Sequence, residues 1–198
     1  MSKINYDGFE LDTFDAAKKF RNYQIYYLKS YIKDPFLEVG AGQGGLTNLY
    51  KKFTKDITLI EPDKKLFQLL RKKFRKKNIK IKNQTIDKIK FKYQTIIYFD
   101  VLEHIKSDLK EVKIASKKLK KNGNLIFNVP AHQLFYNEFD KAVGHFKRYN
   151  KKDFKDIEKK TDLKIEKLIY YDSIGLLFLI LNKLFKLKET YLKNKIYF

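Results

Sequence analysis

The chain has 198 residues, 43% of them hydrophobic, and a net charge of +21. That length and apolar content argue for one globular domain with a sizeable core and against disorder. Cysteine is absent, which excludes disulfides, cysteine-based zinc sites and cysteine nucleophiles together.

The start, MSKINYDGFELD, has no apolar signal region, and the longest apolar run, IGLLFLIL, is too short to span a bilayer as a helix. The chain therefore reads as cytoplasmic. The positive charge raises the question of a nucleic-acid or anionic membrane partner. Nearly all of it is lysine, accompanied by Ile, Asn, Tyr and Phe, the residues an AT-rich genome favours. Arginine, whose fork suits phosphate, occurs only at Arg21, Arg71, Arg75 and Arg148. Nucleic acid is thus a reading kept open but not favoured.

In chain order, residues 12–33 carry apolar and aromatic side chains at helical spacing: Phe14, Ala17, Phe20, Tyr23, Tyr27, Leu28 and Tyr31. One or two helices are expected there. Phe36–Val39 is a first strand running into glycines. Leu46–Phe53 is a helix, and Ile57–Ile60 a second strand. Asp63 caps a helix whose Leu66, Phe67, Leu69, Leu70 and Phe74 should face inward. Ile79–Ile81 is a weak third strand and Thr95–Phe99 a fourth. A helix over Leu109–Leu119 is expected to stop at Asn122-Gly123, before a fifth strand, Leu125–Val129. Residues 130–150 read as a long loop, Lys152–Lys160 as a helix, Leu163–Tyr171 as an alternating sixth strand, and Ile174–Lys186 as an apolar helix. Such alternation predicts an α/β fold: a Rossmann-like, doubly wound, mainly parallel sheet with helices on both faces. Ligands of such sheets sit beyond the carboxyl ends of the strands, at the switch point.

The glycine loop, VGAGQGGLT, admits two readings. Gly40, Gly42 and Gly45 fit G-x-G-x-x-G, with Glu61 following at about the distance of a dinucleotide fingerprint. Gly40, Gly42 and Gly44 also fit E-x-G-x-G-x-G headed by Glu38. A carboxylate at Glu38 suits a cationic amino-acid moiety better than a pyrophosphate. Glu61 suits ribose hydroxyls under either reading. Asp100 ends the fourth strand beside the loop.

The segments LEVGAGQGGLT, LIEPD, IIYFDVLEHI, LKKNGNLIFNVPA and EFDKAVGHFKRYNKKDF stand in the order seen in class I S-adenosylmethionine-dependent methyltransferases. The chain resembles that family over most of residues 34–157. VPAHQLFYNEFDKAVGHFKRY is similar to a bacterial small-molecule subgroup often associated with cell-surface glycan genes. The resemblance implies S-adenosylmethionine as cofactor and a single domain over residues 1–198. Within it, residues 1–33 form a helical segment, 34–130 the cofactor-binding core, and 131–198 the acceptor side with a C-terminal helix. Glu38 and the backbone of Gly40, Ala41, Gly42 and Gly44 would hold the methionine part. Glu61, with Pro62 beside it, would bind the ribose. Thr85, Ile86 and Asp87 would lie near the adenine, although the family's acidic residue there has no counterpart unless Asp87 serves. Asp100 and Val101 would meet the methionine amino group. The family usually ends in a hairpin whose last strand is antiparallel; the reading allows for a chain that stops before it, as a fragment would.

Methyl transfer needs alignment, and a base only where the nucleophile carries a proton at neutral pH. His145 or His132 is the candidate base, with Tyr136, Arg148 and Tyr149 positioning a small-molecule acceptor such as a sugar or lipid-linked glycan. No metal is expected. His104 is expected to tie its turn to the glycine loop. IGLLFLILNKLFKLK, apolar and then basic, leaves peripheral membrane contact open. Competing functions are an RNA ribose methyltransferase and, less favoured, a nicotinamide-dependent oxidoreductase.

Overall fold

The computed structural model describes residues 18–75 and 77–171, and beyond them Gly175, Leu177, Ile180 and Leu181. The chain divides into two compact units. The first holds the residues up to Leu102 together with Ser107–Asn128; the second holds Glu103–Lys106 and the residues from Val129 onward.

The first unit is built on a five-stranded parallel sheet: β1 (Phe36–Val39), β2 (Ile57–Ile60), β3 (Ile79–Lys82), β4 (Tyr93–Phe99) and β5 (Leu119–Asn128). The order is β3-β2-β1-β4-β5. The chain winds outward from β1 to β3, then returns to the other side of β1 for β4. That reversal makes the carboxyl ends of β1 and β4 the switch point. β1 and β2 are buried at every position, as strands covered on both faces must be. Both occupy the bounds that their apolar runs predict.

Helix α1 spans Lys18–Leu28, followed by a short 3-10 turn, Lys29–Tyr31. Its inward stripe is Arg21, Gln24 and Ile25, with Leu28 packed partly buried on the core. Of the expected stripe, Phe20, Tyr27, Leu28 and Tyr31 are half-buried and Tyr23 is exposed. Phe14 and Ala17 lie outside the described residues. Helix α2 (Thr47–Tyr50) is shorter than Leu46–Phe53. Helix α3 (Lys64–Phe74) begins at Asp63, whose carboxylate accepts the Leu66 N–H at 2.8 Å. It buries Leu66, Leu70 and Phe74, spaced i, i+4, i+8, and leaves Leu69 exposed. Helix α4 (Asp108–Lys117) ends before Asn122-Gly123. That dipeptide lies inside β5, where the register steps from Tyr93↔Leu119 to Thr95↔Asn124 and Asn122 takes φ 57°. The turn pair therefore makes an irregularity in a strand and does not stop a helix.

In the second unit the 130–150 segment is more ordered than a loop. Ala131 bridges Tyr149, flanked by His132 N–H to Tyr149 O (2.9 Å) and Tyr149 N–H to Pro130 O (2.8 Å). Between them stand a 3-10 turn, Gln133–Phe135, and helix α5 (Glu138–Ala142). Helix α6 (Lys151–Lys159) follows, and Asn137/Asp140 and Asn150/Asp153 form capping boxes for the two helices. The expected sixth strand is absent among the described residues: 164–171 form no ladder. Ile165 and Ile169 point outward with the lysines around them, so the alternation has no face to bury. The expected helix Ile174–Lys186 lies outside the described residues, except for four helical positions.

Candidate active site

The glycine loop leaves β1 at the switch point. Gly40, Gly42 and Gly44 all take positive φ, at 68°, 52° and 73°. A Cβ on Gly40 would lie 2.7 Å from Cγ2 of Val101, and one on Gly44 would strike Phe74 and lie 2.7 Å from Cδ1 of Leu70. Neither position has room for a side chain, so glycine there lets the loop pack closely on Val101 and on helix α3. Gly40 and Ala41 donate their N–H groups to Ile60 O, at 2.9 and 3.1 Å, pinning the loop to the end of β2.

Glu61 follows β2 and is 5% exposed. Its Oε2 accepts the Gly42 N–H and its Oε1 the Asp63 N–H, both at 2.8 Å. Burial raises its carboxyl to about 7 against the pull of those two N–H bonds. A carboxylate has about four acceptor positions, so two hydroxyl groups can still bond it. Asn83 Nδ2 holds the Glu61 and Pro62 carbonyls at 2.8 and 3.0 Å, fixing this corner.

Glu38 is buried at the end of β1, where its Oε2 accepts from Thr47 Oγ1 (2.9 Å) and from the Tyr50 hydroxyl. Burial and this carboxylate push the Tyr50 hydroxyl well above its usual value, so it stays a donor. Glu38 thus anchors helix α2 to the strand beneath the loop. Thr85 bonds Asp87, which holds that carboxyl below its usual range, and the Ile86 side chain is fully buried. What this corner offers a ligand is backbone, Thr85 and Asp87.

Asp100 follows β4 in a left-handed conformation, φ 55°. Its N–H donates to Asn128 O at 2.9 Å, and its carboxylate accepts from Asn128 Nδ2 and, at 2.9 Å, from Arg21 Nη1. Arg21 also lies over the Phe99 ring at 5.1 Å. Sequence reasoning missed Arg21. The one available signal was a rare arginine within an aromatic helix.

In the second unit Asp140 gathers the predicted acceptor residues. Fully buried, it accepts from Arg148 Nε at 3.0 and 2.8 Å and from the Asn137 N–H at 3.0 Å. Its Oδ1 pairs with His145 Nδ1 at 2.7 Å. Burial alone would raise its carboxyl, but the bonds from His145, Arg148 and Asn137 hold it below its usual value. The Tyr136 hydroxyl donates to His145 O at 2.7 Å. His104 packs edge-on against His145, ring centroids 4.7 Å apart. Burial, and then the neighbouring His145, lowers His104 to about 4. His104 bonds the backbone of Gly144.

Tyr136, His145 and Arg148 are therefore brought together around Asp140, a polar residue of the same segment. His132 stands outside that bonding group: its ring stacks on Tyr170 at 4.7 Å. Arg148 is buried against Asp140, and the Tyr149 ring is buried beside Phe154. No helix among the described residues is long and apolar enough to cross a membrane.

A family model described as a methyltransferase domain matches residues 16–168. Among curated proteins, the chain is 39% identical over 75 residues to ribosomal RNA small subunit methyltransferase A of Mycoplasma mobile, covering 37% of this chain and 30% of that one. It is 29% identical over 107 residues to the enzyme of the same name from Mesomycoplasma hyopneumoniae, 54% of this chain and 35% of that one. The chain thus spans only about a third of the length of these two relatives. Among solved structures, YcgJ of Bacillus subtilis superposes with a TM-score of 0.64 at 16% identity, over 78% of this chain and 75% of that one. Magnesium protoporphyrin IX methyltransferase of Synechocystis PCC 6803, with bound SAM, gives 0.60 at 14% identity, over 76% and 70%.

Proposed function

The chain belongs to the methyltransferase-domain family, and from that premise we propose that it is an S-adenosylmethionine-dependent enzyme that methylates a hydroxyl of a small molecule, such as a sugar or lipid-linked glycan. The observation that carries the acceptor reading is the Asp140–His145 pair. Asp140 occupies Nδ1, so the imidazole lone pair falls on Nε2. A hydroxyl acceptor must shed its proton, and this lone pair is what the second unit offers for it.

S-adenosylmethionine, when bound, supplies a methyl group already activated on a sulfonium. The chain's own contribution is to bind and align. Glu61 accepts the ribose hydroxyls, and the Gly40–Gly44 backbone takes the methionine part. Asp100, steadied by Arg21 and Asn128, receives the amino group. Thr85 and Asp87 border the adenine. Glu38 acts from beneath, by holding helix α2.

Two observations favour a second reading, RNA as acceptor: the net charge of +21 and the ribosomal RNA methyltransferases among the relatives. Calorimetric titration with S-adenosylhomocysteine, with NADH in parallel, tests the cofactor site on wild type and Glu61→Ala. Micromolar binding of S-adenosylhomocysteine alone, lost in the variant, is expected. Transfer of radiolabelled methyl is then compared between hydroxylated glycans and total RNA. Label in RNA alone overturns the small-molecule acceptor.

A further inference from the structure

Glu103, His104 and His145 each offer one ligand atom, and those three atoms lie within 4.8 Å of one another. A centre among them is on the order of 2–3 Å from each, close to the bond lengths of transition-metal sites. We propose that these three residues bind a divalent first-row transition cation, through which His145 acts on the acceptor. The inference rests on the acceptor reading above for its catalytic consequence; the binding of the cation does not.

The donor chemistry narrows the ion. Two imidazole nitrogens and one carboxylate oxygen suit zinc, cobalt, manganese or ferrous iron. Calcium and magnesium prefer oxygen throughout. The absence of cysteine excludes thiolate sites and leaves this donor set untouched.

The surroundings hold the ligands as a metal site requires. Glu103 and His104 share one 3-10 turn, Leu102–His104, and Glu103 is buried. The Phe146 N–H donates to Glu103 O at 2.8 Å, locking that turn to the segment that carries His145. Gly144, at φ 84°, lets the chain double back after α5, and the His145 N–H closes the turn on Asp140 O at 2.8 Å. Asp140 then takes Nδ1 of His145 and orients Nε2, while the Gly144 backbone orients His104. A carboxylate or carbonyl behind each ligating histidine is the usual outer shell of a metal site. Arg148 and Asn137 fix Asp140 in turn.

Three protein ligands leave at least one coordination position for solvent or substrate. An acceptor hydroxyl bound there would lose its proton near neutral pH. The O–H bond breaks and the proton passes to solvent. The freed oxygen would be the nucleophile for the methyl carbon of S-adenosylmethionine, whose carbon–sulfur bond would break in the transfer. No electron is gained or lost by the cation.

The test uses the untagged full chain, stripped with chelator and titrated with Co²⁺ and Zn²⁺ by calorimetry and visible absorption. One site per chain at micromolar affinity or tighter is expected, with a cobalt spectrum of low coordination number. His104→Ala, His145→Ala and Glu103→Gln should each weaken binding at least tenfold. Asp140→Asn should weaken it by about tenfold, as loss of an outer-shell partner does. Should those variants fail to fold, Co²⁺-shifted imidazole proton resonances in the unmutated chain identify the two histidine ligands. Affinity no better than millimolar, or unchanged by all three ligand substitutions, overturns the site. Turnover unaffected by chelator overturns the catalytic half and leaves His145 as the direct base. S-adenosylhomocysteine binding is read separately, so the methyltransferase reading stands or falls on its own.

Discussion

The Gly42 N–H donates to Oε2 of Glu61 at 2.8 Å, joining the glycine loop to the end of β2 across 19 positions of sequence. One bond thus ties the loop proposed to take the methionine part of the cofactor to the carboxylate proposed to take its ribose. It also makes loop geometry depend on the charge of a buried carboxyl.

Burial raises Glu61 to about 7, whereas an unfolded chain titrates it near 4.5. The native state therefore binds this proton more tightly. Its stabilising effect is complete below pH 4.5 and is lost as pH rises through 7, on the order of 3 kcal/mol. Thermal unfolding without cofactor should show this loss in the wild type and not in Glu61→Gln. Cofactor binding runs the other way, because ribose hydroxyls donate to the ionised form. S-adenosylhomocysteine affinity should rise up to about tenfold between pH 6 and pH 8. Calorimetry at the two pH values measures it, and a flat profile would contradict the ribose role.

Gly44→Ala tests the close packing of the loop. The new methyl would meet Phe74 and Leu70, on the buried face of α3, at a backbone φ of 73°. Overpacking and backbone strain together should cost about 2–3 kcal/mol. Urea denaturation reads the loss. S-adenosylhomocysteine binding should fall at least tenfold, because relief of the clash moves the loop.

Asp140→Asn removes the charge that Arg148 and His145 share. Breaking a buried pair of this kind costs about 3 kcal/mol. The Asp140 carboxyl lies below its usual value in the folded chain, so its contribution is present above about pH 4. That contribution is lost as pH falls through the lowered value. Wild type should lose stability there more steeply than the variant, and denaturation at pH 3 and pH 6 makes the comparison.

Much of the first unit was legible because its signals are local. β1 and β2 are unbroken apolar runs bounded by turn residues, and Asp63 caps α3 three residues ahead of the N–H it accepts. Glycine clustering marks the loop because no other residue tolerates three positive φ angles in five positions. The failures share a different cause. Alternation over 163–171 names a strand only where a sheet edge waits for it. Asn122-Gly123 names a turn without saying whether a helix or a strand is being bent.

By itself the sequence determined the family and the bounds of β1 and β2, since these rest on motifs and apolar runs that are local in the chain. Tertiary structure decided which charges are spent on the fold and which remain for chemistry. Glu38 is held by Tyr50 and Thr47, Asp100 by Arg21 from 79 residues away, and Arg148 by Asp140. Glu103 and His104 meet His145 only because a backbone bond and one left-handed glycine fold the chain back on itself. Partnership between distant polar groups depends on where burial removes water, and that is a property of the packed chain.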